Sequence, residues 1–122
     1  MSAAASYRIL ALDGGGIRGL LTAHLLVRLE QERPGCLTHF DLIAGTSTGS
    51  IIALSLAAGF SPAEIAGLYE YHVRRIFETS LAERVREVGG LIGPRYSARR
   101  LAAVLRGVFS DRRLGDLDRH VL

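Results

Sequence analysis

Two short apolar runs, Tyr7–Leu12 and Phe40–Ala44, each stop at a glycine-rich turn, and each turn opens a segment with helical spacing. No other feature limits the possible folds as much. A short apolar run bounded by turn residues suits a strand buried on both faces. Strands that alternate with helices predict a mainly parallel sheet with helices on both sides, a three-layer α/β/α arrangement. The first helix is expected from Ile17 to about Glu32, with Leu21, Leu25 and Leu29 in register and Pro34-Gly35 ending it. The second, from about Thr48 to Ala58, is apolar nearly all round, so it should be covered, and Gly59 is its natural stop.

Further along, Ser61-Pro62-Ala63-Glu64 supplies a cap, an N1 proline and an N3 glutamate for a helix reaching about Phe77. A shorter helical piece, Leu81 to Val88, leads to a bend at Gly89-Gly90 and Gly93-Pro94. Ser97 can cap another helix, whose Leu101, Val104, Leu105 and Val108 share one face. The tail from Leu114 enters a third strand at His120-Val121-Leu122. The reading is therefore a tail over residues 1–6 and one domain portion over residues 7–122, cut short after about three strands. A length of 122 residues suits one core and is too short for two.

Composition removes several function classes. All fifteen basic residues are Arg, and doublets at Arg74-Arg75, Arg99-Arg100 and Arg112-Arg113 read as solvated surface rather than a nucleic-acid footprint. Cys36 is the one cysteine, and the four histidines lack ligand-like spacing, so neither a disulfide framework nor a metal site is expected. The start has no signal-peptide pattern. The uncharged stretch from Leu42 to Ala63 is broken by Gly-Thr-Ser-Thr-Gly-Ser and by Ser61-Pro62, so it reads as strand, turn and buried helix rather than a membrane span. A soluble, cytoplasmic protein is the expectation.

In open α/β sheets, ligands bind beyond the carboxyl ends of the strands, so both glycine turns should face one crevice. Gly45-Thr46-Ser47-Thr48-Gly49 fits G-x-S-x-G between a strand and a helix, the setting of a nucleophile elbow. There Ser47 is the candidate nucleophile, and Gly45 and Gly49 allow helix and strand to approach. Asp13-Gly14-Gly15-Gly16-Ile17-Arg18-Gly19 leaves backbone N–H groups bare at a helix start, where they can converge on an anion. Gly14, Gly15 and Gly16 are thus candidates for an oxyanion hole. Asp13 is expected to anchor the loop by accepting backbone hydrogen bonds, and Arg18 to brace it, meet a phosphate or form a surface ion pair.

Three other enzyme readings fit less well. Gly14, Gly16 and Gly19 also satisfy G-x-G-x-x-G, but a dinucleotide site needs an acid at the end of the second strand, and Asp41 stands at its beginning. A P-loop requires a Lys that the chain does not have. An ordinary α/β-hydrolase triad needs a His after the last strand, and neither His72 nor His120 is placed for that.

D-G-G-G-I-R-G after the first strand and G-T-S-T-G after the second resemble the patatin-like phospholipase family, together with the helix between them. Ser61-Pro62, Tyr96-Ser97 and Leu114-Gly115-Asp116-Leu117 resemble its continuation, so the likeness spans essentially the whole chain. It implies a Ser-Asp dyad that hydrolyses lipid acyl esters through an acyl-serine intermediate, with Ser47 as nucleophile and Gly14–Gly16 as oxyanion loop. No metal or organic cofactor is implied. The partners expected are a lipid acyl ester and, peripherally, a membrane. The family's catalytic Asp lies in a D-G-G or D-G-A motif well after the third strand. Here the one Asp-Gly pair is Asp13-Gly14, and Asp111, Asp116 and Asp118 are not followed by Gly. The expectation is the N-terminal part of such a domain, inactive by itself. The alternative is a catalytically dead lipid-binding chain, or one that pairs with a complementary chain of a split domain.

Overall fold

The computed structural model describes residues 6–72 and 95–122. Strands β1 (Ile9–Leu12), β2 (Leu42–Gly45) and β3 (His120–Val121) form one sheet in that order. Both pairings are parallel, with Ile9 and His120 on either side of Leu42. Around them lie helices α1 (Gly19–Glu32), α2 (Thr48–Ala57), α3 (residues 62–72) and α4 (Arg95–Phe109). The α/β fold with a parallel sheet is the one the alternation predicts.

Side-chain alternation along the strands sends Leu10, Leu12, Ile43 and Val121 to one face of the sheet. They pack with Ala23 and Leu26 of α1, Ile52, Ala53 and Leu56 of α2, and Ile65, Ala66 and Tyr69 of α3. The opposite face is open: Ile9 is 54% exposed and Ala11 is exposed too. This corrects the expectation of strands buried on both faces, because among the described residues the second helical layer is not formed. The described helices α1, α2 and α3 all pack on the same face of the sheet.

Local chemistry sets the element ends. β2 begins at Leu42 rather than Phe40, since the Asp41 carboxylate accepts the Arg8 N–H at 2.7 Å and replaces a ladder bond there. A single 3-10 turn, Gly16–Arg18, precedes α1, so the regular helix starts two residues later than the periodicity suggested. Gly59 follows α2 with φ 89°, the left-handed conformation that ends helices. Ser61 and Glu64 cap α3 reciprocally, the hydroxyl accepting the Glu64 N–H and the carboxylate accepting the Ser61 N–H. α4 starts at Arg95, ahead of the Ser97 cap expected for it. The expected continuation of α3 to Phe77, the piece Leu81–Val88 and the bend to Pro94 lie outside the described residues.

Two arginines tie the C-terminal segment to the body. Arg112 lies 5.9 Å over the Phe60 ring and donates to the Ala58 carbonyl at the end of α2, 2.5 Å away. Arg119 donates to the Leu37 carbonyl at 2.6 Å. The Arg112 side chain is thus held against the protein rather than merely solvated. No helix among the described residues is long and apolar enough to cross a membrane.

Candidate active site

At the end of β2 the chain turns sharply into α2, and Ser47 sits at the turn with φ 53° and ψ −121°. A left-handed φ is costly for a residue with a side chain and persists where the surroundings enforce it. Two glycines do so here. A Cβ on Gly49 would collide with the Leu12 carbonyl oxygen, and one on Gly45 with the Gly49 carbonyl. Helix α2 therefore lies closer to the ends of β1 and β2 than any side chain would allow. The turn is held by Thr46 N–H donating to the Leu12 carbonyl at 3.2 Å and by Gly49 N–H donating to the Thr46 carbonyl at 2.9 Å. Ser47 is exposed at the N-terminus of α2, where the helix dipole favours developing negative charge.

The Gly14–Gly16 loop meets this turn. Gly14 lies directly against Ser47, and its N–H donates to the Thr46 hydroxyl at 3.2 Å. That amide is engaged, whereas those of Gly15 and Gly16 have no acceptor among the described residues. Gly15 and Gly16 have φ 143° and 60°, which L side chains seldom adopt. Arg18 braces the loop: its N–H and its Nε both donate to the Gly15 carbonyl, at 3.2 and 3.4 Å. These contacts suit the bracing role among the three the sequence left open for Arg18. Asp13 departs from expectation. It is exposed, and its carboxylate takes no hydrogen bond among the described residues, because the turn is closed instead by Thr46 and the Leu12 carbonyl. Gly19 admits the Tyr69 ring and the Thr48 side chain where a Cβ would clash.

From Ser47 and Gly16 a groove of about 440 Å³ runs between α2, α3 and α4. Its walls are mostly aliphatic, including Ile51, Ile65, Leu68, Leu101, Val104 and Leu105. The predicted α4 face is thus the outer wall of the groove. The α3 wall was not foreseen, although Ile65, Leu68, Tyr69 and His72 repeat at helical spacing and could have signalled it. His72, set aside as a helix residue, reaches the same groove and stacks edge-on with Tyr71, ring centres 4.9 Å apart. Tyr69 anchors α3 to the elbow by donating to the Thr48 carbonyl at 2.6 Å, and burial pushes its phenol up to about 12. No Asp or Glu lines the groove among the described residues. Nor is there among them a group of three or more His, Cys, Asp or Glu that could hold a metal.

The arrangement presents a hydroxyl on a forced turn, bare amides beside it and an apolar slot leading away. Comparison with known proteins points the same way. The family model for patatin-like phospholipases matches residues 10–121. The chain is similar to a cGAMP-activated phospholipase of Pseudomonas aeruginosa, 40% identical over all of this chain and 37% of that protein. It is similar to a cUMP-AMP-activated phospholipase of Escherichia coli, 38% identical over 83% of this chain and 32% of that protein. Patatin-like protein 1 of Oryza sativa subsp. indica is 35% identical over 88% of this chain and 30% of that protein. The chain spans about a third of the length of these relatives.

Proposed function

Since this chain belongs to the patatin-like phospholipase family, we propose that it carries the nucleophile and oxyanion loop of a lipid acyl hydrolase. The observation that carries the reading is the meeting of three features: Ser47 on its left-handed turn, Gly14 packed against it, and the apolar groove starting at Ser47 and Gly16. The Ser47 hydroxyl attacks the acyl carbonyl, and the groove holds the acyl chain. The N–H groups of Gly15 and Gly16, with that of Thr48 at the start of α2, steady the tetrahedral oxyanion. Collapse expels the alcohol and leaves an acyl-serine, which water hydrolyses to free acid.

The proton from Ser47 needs an acceptor. We assign it to an Asp of the whole protein in an Asp-Gly motif after the third strand, completing a Ser-Asp dyad. Residues 7–122 are in this reading the N-terminal portion of the domain, inactive without that base. No metal or organic cofactor takes part. Cytoplasmic location with peripheral membrane contact suits such a substrate. Two relatives are named for activation by cyclic dinucleotides, and we extend that control to the whole protein: adding cGAMP should raise its turnover.

The test is hydrolysis of a chromogenic fatty-acyl ester by the whole protein. Ser47→Ala should abolish it, and a fluorophosphonate probe should label Ser47. Unchanged turnover in Ser47→Ala rejects the assignment.

A further inference from the structure

The groove that starts at Ser47 has a direction and a far end. Ser47 at the start of α2, with Ile51 and Ser55 inside that helix, lines one side of it, at the four-residue spacing that stacks side chains on a helix face. Helix α3 runs back beside α2. Tyr69 bonds the Thr48 carbonyl at the Ser47 end, and the Phe60 N–H, just ahead of α3, donates to the Ser55 carbonyl at 3.0 Å at the other. Helix α4 finishes at that far end too, where Phe109 meets Phe60 edge-on with ring centres 6.4 Å apart. Arg112 fastens the corner by lying over the Phe60 ring and donating to the Ala58 carbonyl. The two phenyl rings are half-buried and stand behind Ser55 and Val108, the last lining residues of α2 and α4.

Along this length the groove offers hydrocarbon. The hydroxyls of Ser50, Ser55 and Tyr69 each donate to a backbone carbonyl, that of Ser47, Ile51 and Thr48 in turn. No Asp, Glu or Arg lines it among the described residues. His72 follows Tyr69 along α3 and so lies at the Ser47 end. A polar headgroup therefore finds no partner at the far end, whereas a methyl terminus does. The length follows from the helix. Ser47 and Ser55 are eight residues apart, about 12 Å at a rise of 1.5 Å per residue. An extended hydrocarbon advances about 1.25 Å per carbon, given a bond near 1.5 Å and an angle near 111°. About ten carbons thus reach from the Ser47 hydroxyl to the far end.

We propose that the Phe60–Phe109 pair is the stop that sets the acyl length this protein takes, so that a chain of about ten carbons fills the groove and longer ones are obstructed. Val108, in the groove wall ahead of the rings, is the specificity-determining contact. The inference rests on the hydrolase reading of Ser47.

The experiment measures kcat/KM of the whole protein on straight-chain p-nitrophenyl esters from butyryl to tetradecanoyl, all presented in one nonionic detergent. The value should climb by roughly two- to fourfold per methylene up to about ten carbons, the worth of burying each one, and then fall. A value still rising at tetradecanoyl, or flat from butyryl onward, overturns the proposal. Two variants move the stop in opposite directions. Phe109→Ala removes one ring, and its tetradecanoyl-to-decanoyl ratio should rise about tenfold, the worth of roughly two methylenes regained. Val108→Phe fills the far end, and its decanoyl-to-butyryl ratio should fall by about the same factor. A ratio that does not move in a folded variant overturns the proposal. Circular dichroism identifies a variant that fails to fold; the other variant and the parent profile then decide. Ser47→Ala separates the two readings. Turnover that survives in that variant rejects the hydrolase assignment, whereas turnover lost there with a flat chain-length profile in the parent rejects the stop alone.

Discussion

A Cβ built on Gly14 would stand 2.8 Å from the Cβ of Ser47 and would strike the Thr46 carbonyl oxygen. The Ser47 turn and the first loop therefore share a space in which only glycine fits. Gly14→Ala must push the loop off the turn and carry the Gly15 and Gly16 amides with it. Turnover by the whole protein should fall on the order of a hundred- to a thousandfold, the usual cost of a lost oxyanion donor. Most of the loss should fall on kcat rather than KM. An unchanged kcat would show that the loop's placement does not matter to the reaction.

Ser47 holds φ 53° and ψ −121°, strain that a residue without Cβ escapes. Ser47→Gly and Ser47→Ala should both be inactive. The glycine variant should nevertheless be the more stable of the two by about 1 kcal/mol, after its greater unfolded-state entropy is offset. Urea midpoints compare them directly. Equal stability would mean that the turn stores no strain.

Tyr69 links α3 to the elbow through its bond to the Thr48 carbonyl. Tyr69→Phe should cost about 1 kcal/mol at neutral pH, the net worth of one hydrogen bond. Burial raises the folded-state phenol from 10.0 to about 12. Its contribution is then fully present below pH 10 and lost as pH rises from about 10 towards 12. Denaturation series across that window should show a steep alkaline limb in the parent protein and a shallower one in Tyr69→Phe.

The cap of α3 gives an acid-side counterpart. The Glu64 carboxylate accepts the Ser61 N–H and the Ser61 hydroxyl, which hold it below its ordinary 4.5. Its contribution is present above that value and lost as pH falls through the lowered one. Ser61→Ala should destabilise the protein by about 1 kcal/mol at neutral pH, as capping substitutions do. Thermal melts from pH 7 down to pH 3 should show the gap between the two proteins narrowing. A constant gap would mean that Glu64 is not the acceptor that matters.

Much of this site was legible in the residues. G-x-S-x-G after a strand pointed to a sharp strand-to-helix turn because its glycines have one physical use, which is contact between backbones too close for a side chain; Gly45 and Gly49 show it. The groove was half legible. The apolar face of α4 was visible in Leu101, Val104, Leu105 and Val108, but its role as a wall opposite Ser47 depends on where the helix packs. His72 and Tyr69 were not foreseen as neighbours of the site because they are about twenty residues or more from Ser47 in the chain, and packing brings them there. The Asp13 prediction failed because a carboxylate and a hydroxyl compete for the same loop, and Thr46 takes the Gly14 N–H.

The order of local elements and the two turns that only glycine can make are short-range properties, set by sterics over a few residues, and the sequence determined them. Which amides stay free, which face of the sheet is covered and which leucines of α1 are exposed depend on contacts between segments far apart in the chain. Ile9 and Leu12 look alike in the sequence, yet the first is exposed and the second lies in the core. The two side chains point to opposite faces of the sheet, and only the tertiary structure decided which face α1, α2 and α3 cover.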